Sequence, residues 1–260
     1  MSGGASGHIV APGVPPGDVS PTVLLDALGT SIRAHGLAAY GIAAVLVPVA
    51  IAVGVSGELA ENGSAASVGV TVLGWFANVA WFFAAALVDG AIAVRVVRDC
   101  GIGEALRTAF RRVLTLAGAA FFAGLAYGLA SCFLIVPGVI AYLALCTVAT
   151  QIAALDASFL QSLDRSVSIT RGGLLALFAT YAALTIAAVR LGTVCAVIGG
   201  VIAFAVTSND PDASLGVAFV IQVLVPFLLF PMFSLIPPTY VRLRLPAESV
   251  DAEGISDVFA

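Results

Sequence analysis

Long apolar runs separated by short arginine-bearing segments fill most of this chain. Residues 37–55, 68–88, 113–136, 139–155, 173–190 and 215–236 are each predominantly apolar. Runs of about this length cross a hydrocarbon core of roughly 30 Å as helices. Between them lie three segments of mixed character, 22–36 (TVLLDALGTSIRAHG), 100–112 (CGIGEALRTAFRR) and 156–171 (DASFLQSLDRSVSITR). In the first, Leu24, Leu25, Leu28 and Ile32 recur at helical spacing, with Asp26, Thr30 and Arg33 between them. The most patterned stretch is 134–173, where Pro137-Gly138 reads as a tight turn between two apolar runs. The pattern predicts an all-α, polytopic membrane bundle over 22–244. It would have about six transmembrane helices and short amphipathic helices at the interface.

The ends differ from this body. Residues 1–21 are rich in Gly, Pro and Ser and contain His8. They carry too little apolar surface to offset their ordering entropy, which predicts a disordered tail. They lack the basic start and early apolar core of a signal peptide. Residues 245–260 form a polar, acidic tail.

Charge placement orients the bundle. Arg33 precedes the first run, Arg95, Arg98, Arg107, Arg111 and Arg112 follow the second, Arg165 and Arg171 follow the fourth, and Arg242 and Arg244 follow the sixth. Six spans put all of these on one side, which the positive-inside rule makes cytoplasmic, with both termini inside. The expected location is the inner membrane of a prokaryote. The difficult stretch is 172–206, interrupted by Arg190. Eighteen residues past Gly172 is about 27 Å of helix, so one crossing would end near Arg190. Residues 191–206 would then extend the helix, bend at Gly199-Gly200 or re-enter the bilayer.

Composition agrees with this reading: 60% of residues are hydrophobic, 10% are charged, and every basic side chain apart from two histidines is arginine. Cys100, Cys132, Cys146 and Cys195 form no CxxC pair, and isolated cysteines of this kind act mostly as small packing residues. The three mixed segments align without gaps as DALGTSIR, EALRTAFR and QSLDRSVS, sharing Leu28, Leu106 and Leu163. Either the chain repeats an amphipathic helix plus hairpin three times, or any arginine-bearing helix at a bilayer surface looks like this.

The run LIVPGVIAYLA followed by LDASFLQSLDRSVSITRGGLLALF resembles a bacterial and archaeal membrane family. This is the membrane domain family of glycerophosphoryl diester phosphodiesterase and its uncharacterised inner-membrane relatives. Pro137, Gly138, Leu163, Arg165, Ser166, Thr170, Arg171 and Gly172 carry the resemblance, and PTVLLDALGTSIRAHG and DGAIAVRVVRDCGIGEALRTAFRR are similar to the family's earlier segments. It implies a helical membrane domain over roughly 21–244. The long fifth run with Arg190 departs from the family pattern, and the family's usual acidic residue of the fourth cytoplasmic segment falls only loosely at Asp156. The phosphodiesterase label belongs to chains that also carry a catalytic barrel of about 250 residues. No such domain is expected within these 260 residues, and His8 and His35 have no carboxylate cluster beside them in the sequence.

Candidate functional residues are therefore few. Arg190 would line a cavity or an anion path if it faced the bundle, or snorkel to the outer interface if it did not. Asp89, at the end of the second run, would either pair with a cytoplasmic arginine or bind a substrate cation, and its place at the boundary favours the structural ion pair. Asp164 and Arg165 are expected at helix ends, facing headgroups or water. Ala120, Gly124, Gly128 and Cys132 make a small-residue stripe expected to pack against another helix. Trp75, Trp81, Tyr127 and Tyr142 fit interface or packing roles. No phosphate loop, nucleophile elbow, zinc spacing or dinucleotide fingerprint occurs. The chain is expected to be non-enzymatic, with no cofactor and no metal, and to act as a membrane-embedded scaffold for lipid or envelope partners. The alternative is a small-solute or lipid transporter or channel. Expected partners are the bilayer, anionic headgroups on the arginine face, and another copy or another membrane protein; nucleic acid is not expected.

Overall fold

The computed structural model describes residues 19–61, 68–207 and 227–245, and every regular element among them is helical. In chain order these are α1 (Pro21–Ala43), α2 (Leu46–Glu61), α3 (Val68–Arg98), α4 (Ile102–Arg111), α5 (Val113–Phe133), α6 (Ile135–Leu145), α7 (Val148–Ala154), α8 (Phe159–Arg171), α9 (Leu174–Thr207), α10 (227–234) and α11 (Ile236–Arg244). Four stretches are long and apolar enough to cross a bilayer: Gly74–Arg98, Val113–Cys132, Ile135–Ala154 and Leu174–Leu191. A fifth is formed if Pro21–Ala43 and Leu46–Val53, bent by 49°, count as one broken span. The chain is thus all-α, with the apolar helices of a multi-pass membrane protein. The described residues hold four or five such spans rather than six. Most of the expected sixth, 215–236, lies outside them, as do the tails at 1–18 and 246–260.

The first span differs from the expected division into a surface segment and a separate crossing. Residues 21–43 form one continuous helix, started by Ser20, whose hydroxyl accepts from the Val23 amide at 3.3 Å. The break falls at Ala44-Val45 because of Pro48. A proline has no N–H to give the carbonyl four residues back, and its ring crowds that carbonyl. The carbonyl in question is Ala44's, which accepts from the Val47 amide at 3.2 Å instead. Beyond it α2 runs to Glu61, six residues past the end of the first apolar run at 55.

Pro137-Gly138 is not a turn. Leu134 makes the reversal, with an extended backbone at φ −163 and ψ 150, and Pro137 is the third residue of α6. A proline in the first helical turn loses nothing, since its missing N–H would have had no partner inside the helix. Gly138 takes no left-handed φ and serves instead as a contact point. A Cβ there would fall 3.0 Å from Ser131 Cβ and 3.1 Å from Ser131 Cα, and closer still to its hydroxyl. The fourth span is itself broken between α6 and α7, at Cys146-Thr147.

That break explains the Ser and Thr residues of α8. Interrupting α6 frees the Ala144 carbonyl. Ser166 donates to it at 2.7 Å and pairs with the Thr147 hydroxyl at 2.8 Å, while Thr170 reaches the same carbonyl at 3.3 Å. All three side chains are fully buried. In a low-dielectric interior such groups are costly if left unmade. Ser166→Ala should therefore destabilise the protein by about 1–3 kcal/mol. The exposed Ser168, bonded only to the Arg165 carbonyl, should tolerate alanine within about 0.5 kcal/mol. Thermal unfolding of the two variants in one detergent checks the contrast.

α3 is the central element, touching α1, α2, α4, α5, α7 and α11. Its second half is deeply buried, with Val88, Ala91, Ile92, Val94 and Val96 at 1% exposure or less. Gly90 allows this approach, since a Cβ there would meet Leu116 Cδ1 at 2.6 Å. The outward faces of α5, α6 and α9 carry Phe121, Leu129, Ile135, Phe178 and Ile186, all exposed, as expected for lipid-facing side chains.

Candidate functional site: a cavity around Asp89

α3 continues for nine residues past Asp89 to Arg98, so Asp89 stands roughly 9 Å of helix from Arg95 and roughly 14 Å from Arg98. The expected ion pair does not form. Among the described residues Asp89 has no basic partner, and its carboxylate accepts a short hydrogen bond from the Ser234 hydroxyl on α10. The aspartate sits instead on the wall of a cavity of about 570 Å³. That volume falls in the range of small-ligand sites, about 300–1,000 Å³.

The wall draws on seven helices, α11 among them through Pro237 and Pro238, and one junction. α3 gives Asp89, α5 a strip of small residues, α6 Tyr142, α9 Tyr181, and α10 Phe233 and Ser234; α7 adds Thr150 and the α6–α7 break adds Cys146. Most of the lining is apolar side chain, with a few polar groups set into it. The aromatic rings make a continuous array. Tyr127 to Tyr142 is 6.0 Å between centroids and edge-on, Tyr142 to Tyr181 is 5.5 Å and edge-on, and Tyr181 to Phe233 is 6.1 Å and stacked. These are ordinary separations for attractive ring pairs.

The small-residue stripe of α5 has a different role from the one its spacing predicted. Ala120 and Gly124 line the cavity, and no described residue lies within 4 Å of a Cβ built at Gly124 or Gly128. Small side chains here leave space open and do not bring two backbones together. Trp75 is exposed and Trp81 packs against the core, whereas Tyr127 and Tyr142 belong to the cavity.

Arg190 takes no part in it. The side chain is exposed on α9, makes no hydrogen bond or ion pair among the described residues, and lies outside the cavity lining. α9 runs through it to Thr207 as a single helix of 34 residues, about 51 Å long, so the stretch after Arg190 extends the helix.

A cluster of ion pairs gathers at one end of the bundle. Asp156 accepts from Arg98 at 2.6 Å and Arg112 at 2.8 Å. The same two arginines bond the last carbonyls of α7, Arg98 to Ala154 at 2.8 Å and Arg112 to Ile152 at 3.3 Å. Cations at a helix C-terminus complete its free carbonyls and oppose its dipole. Asp156 has φ 56, a left-handed backbone that Asp tolerates better than most residues. Beside it Arg95 pairs with Asp99 at 3.0 Å, and Arg242 bonds the Val96 carbonyl at 3.2 Å. His35, expected near a flexible tail without a carboxylate, is buried with Nδ1 4.0 Å from Asp99. Burial, with Glu104 next, pushes the Cys100 thiol above its usual range. Arg107, Arg111 and Arg171 are exposed.

Several residues carrying the family resemblance act in packing or at helix ends. Ser166 and Thr170 close the helix break, Gly138 fits α6 to α5, and Gly172 is an exposed helix cap with φ −86. Leu163 packs against the core from α8. The sequence signal that could have found the cavity is the set Asp89, Tyr142, Tyr181 and Ser234. They are the polar side chains placed within or beside apolar runs on different helices, and their meeting depends on the packing of those helices. Among the described residues no group of His, Cys, Asp and Glu has the arrangement of a metal site, and Cys100, Cys132 and Cys146 carry free thiols. No family model, curated protein or solved structure matches this chain.

Proposed function

We propose that this chain is a membrane carrier that binds a small solute or lipid in the cavity around Asp89. The observation that carries this reading is the cavity itself, ligand-sized, apolar-walled and furnished with one carboxylate, one serine and three tyrosines. Ionisable side chains inside a span are expensive, and they mark binding sites or pathways more often than structure. The scaffold reading rests on the exposed arginines Arg107, Arg111 and Arg171. Attraction to anionic headgroups accounts for them without a protein partner. Membership of the membrane-domain family, a non-enzymatic role, cytoplasmic termini and an inner-membrane location are parts of the same proposal.

Filling the cavity tests it. Gly124→Leu places a large side chain where no described residue stands within 4 Å. Native mass spectrometry of protein released from mild detergent should show a bound molecule of defined mass on the wild type and its loss from the variant. Equal retention by both, or none by either, would contradict the proposal. Flux of the identified molecule into proteoliposomes then tests the carrying step.

A further inference from the structure

We infer that the ligand of the Asp89 cavity carries a cationic ammonium head, for which Asp89 is the counter-charge and Tyr142, Tyr181 and Phe233 form the aromatic wall. This rests on the proposed binding role and names its ligand class.

Asp89 is half-buried at the cavity wall and faces no arginine or histidine among the described residues. The contrast with Asp99 and Asp156 is informative. Both lie at the arginine end and both are paired there, although arginine is plentiful and could have served Asp89 too. Ser234 supplies one hydrogen bond to the Asp89 carboxylate, which orients it without neutralising it. A carboxylate held away from water gains most from a partner of opposite charge.

The second observation is independent of the carboxylate. Tyr142, Tyr181 and Phe233 line the same cavity and contact one another edge-on and stacked at 5.5 and 6.1 Å. Aromatic faces attract cations through the ring quadrupole, more strongly when the cation is desolvated, and aromatic enclosures take quaternary ammonium groups in particular. An anion would meet both the carboxylate and the ring faces with the wrong sign. A neutral molecule would use the apolar wall and leave Asp89 unmatched. The remaining lining, on α5 and α6, suits an apolar body attached to the head.

Charge can be separated from shape with one pair of probes. (4-Hydroxyphenyl)trimethylammonium and 4-tert-butylphenol have nearly the same form, and one carries a positive charge. Isothermal titration of the detergent-solubilised full chain should show the cation bound about tenfold or more tightly, which corresponds to about 1.4 kcal/mol. Asp89→Asn keeps a group that accepts from Ser234 and removes the charge, so it should abolish the preference, while Asp89→Glu should retain it. Equal binding of both probes to the wild type would overturn the cationic assignment and leave the binding role standing. Binding of neither, with a molecule still retained in native mass spectrometry, would overturn the assignment alone. Binding of neither with no retained molecule would overturn both.

Discussion

Gly173→Ala should destabilise the bundle by about 3 kcal/mol, at the upper end of what overpacking usually costs. Gly173 opens α9, and its Cα faces the ring of Tyr240 on α11. A Cβ there would stand 2.8 Å from Cε2 and Cζ of that ring and closer still to its hydroxyl. The ring has no freedom to retreat. Tyr240 is fully buried, donates to the Ile169 carbonyl at 2.9 Å, and accepts from Arg244 Nε at 3.2 Å. Moving it breaks the bond that pins α11 to the end of α8. The neighbouring Gly172→Ala is the control. That residue is exposed with φ −86, and its variant should stay within about 0.5 kcal/mol of wild type. Thermal unfolding read by intrinsic fluorescence separates the two. Equal, small losses would mean that Tyr240 does not lie over Gly173.

Gly138→Val should have a comparable effect for a different reason. The Cβ at Gly138 meets the side chain and the Cα of Ser131. A side chain can rotate away, but a backbone atom in the last turn of α5 cannot. Valine would force α5 and α6 apart along the hairpin that Leu134 closes. We expect about 3 kcal/mol or more, seen as a lower Tm and as poor recovery from detergent. Pro137→Ala, one residue earlier in the first turn of α6, should cost less than about 1 kcal/mol. The order of these two variants distinguishes a helical Pro-Gly from a reverse turn. In a turn the proline would carry the conformation, and its loss would be the larger one.

The Pro-Gly step shows where the sequence was readable and where it was not. Its apolar flanks announced a hairpin between two helices, and a hairpin is present. Dipeptide statistics placed the reversal at the proline, because Pro and Gly are common in turns. A first-turn proline and a close-contact glycine satisfy the same letters. Only the separation of α5 and α6 decides between them. Pro48 was legible as a proline inside a span, and its effect on the Ala44 carbonyl follows from covalent structure. The bend it produces depends on what packs beside it.

The cavity was harder to foresee. Asp89 was visible as an acid at the end of an apolar run, and the abundance of arginine after it made an ion pair the natural expectation. The pair does not form because Arg95 turns to Asp99 and Arg98 to Asp156, about 9 and 14 Å of helix further on. Tyr142, Tyr181 and Ser234 lie on α6, α9 and α10, and no local spacing relates them. The α5 stripe was visible too, but small residues look the same whether they admit a neighbouring helix or leave a space. Arg190, the most conspicuous charge in the sequence, lies outside the cavity. Asp156, placed loosely by resemblance, holds two arginines and the end of α7.

The central claim is that a ligand-sized space beside Asp89 is occupied by something other than protein. A cryo-electron-microscopy map of the wild-type chain in lipid nanodiscs addresses it directly. Our account predicts non-protein density between Asp89, Tyr142, Tyr181 and Phe233, in contact with the carboxylate. A map in which protein side chains fill that space, or in which an arginine pairs with Asp89, would contradict it.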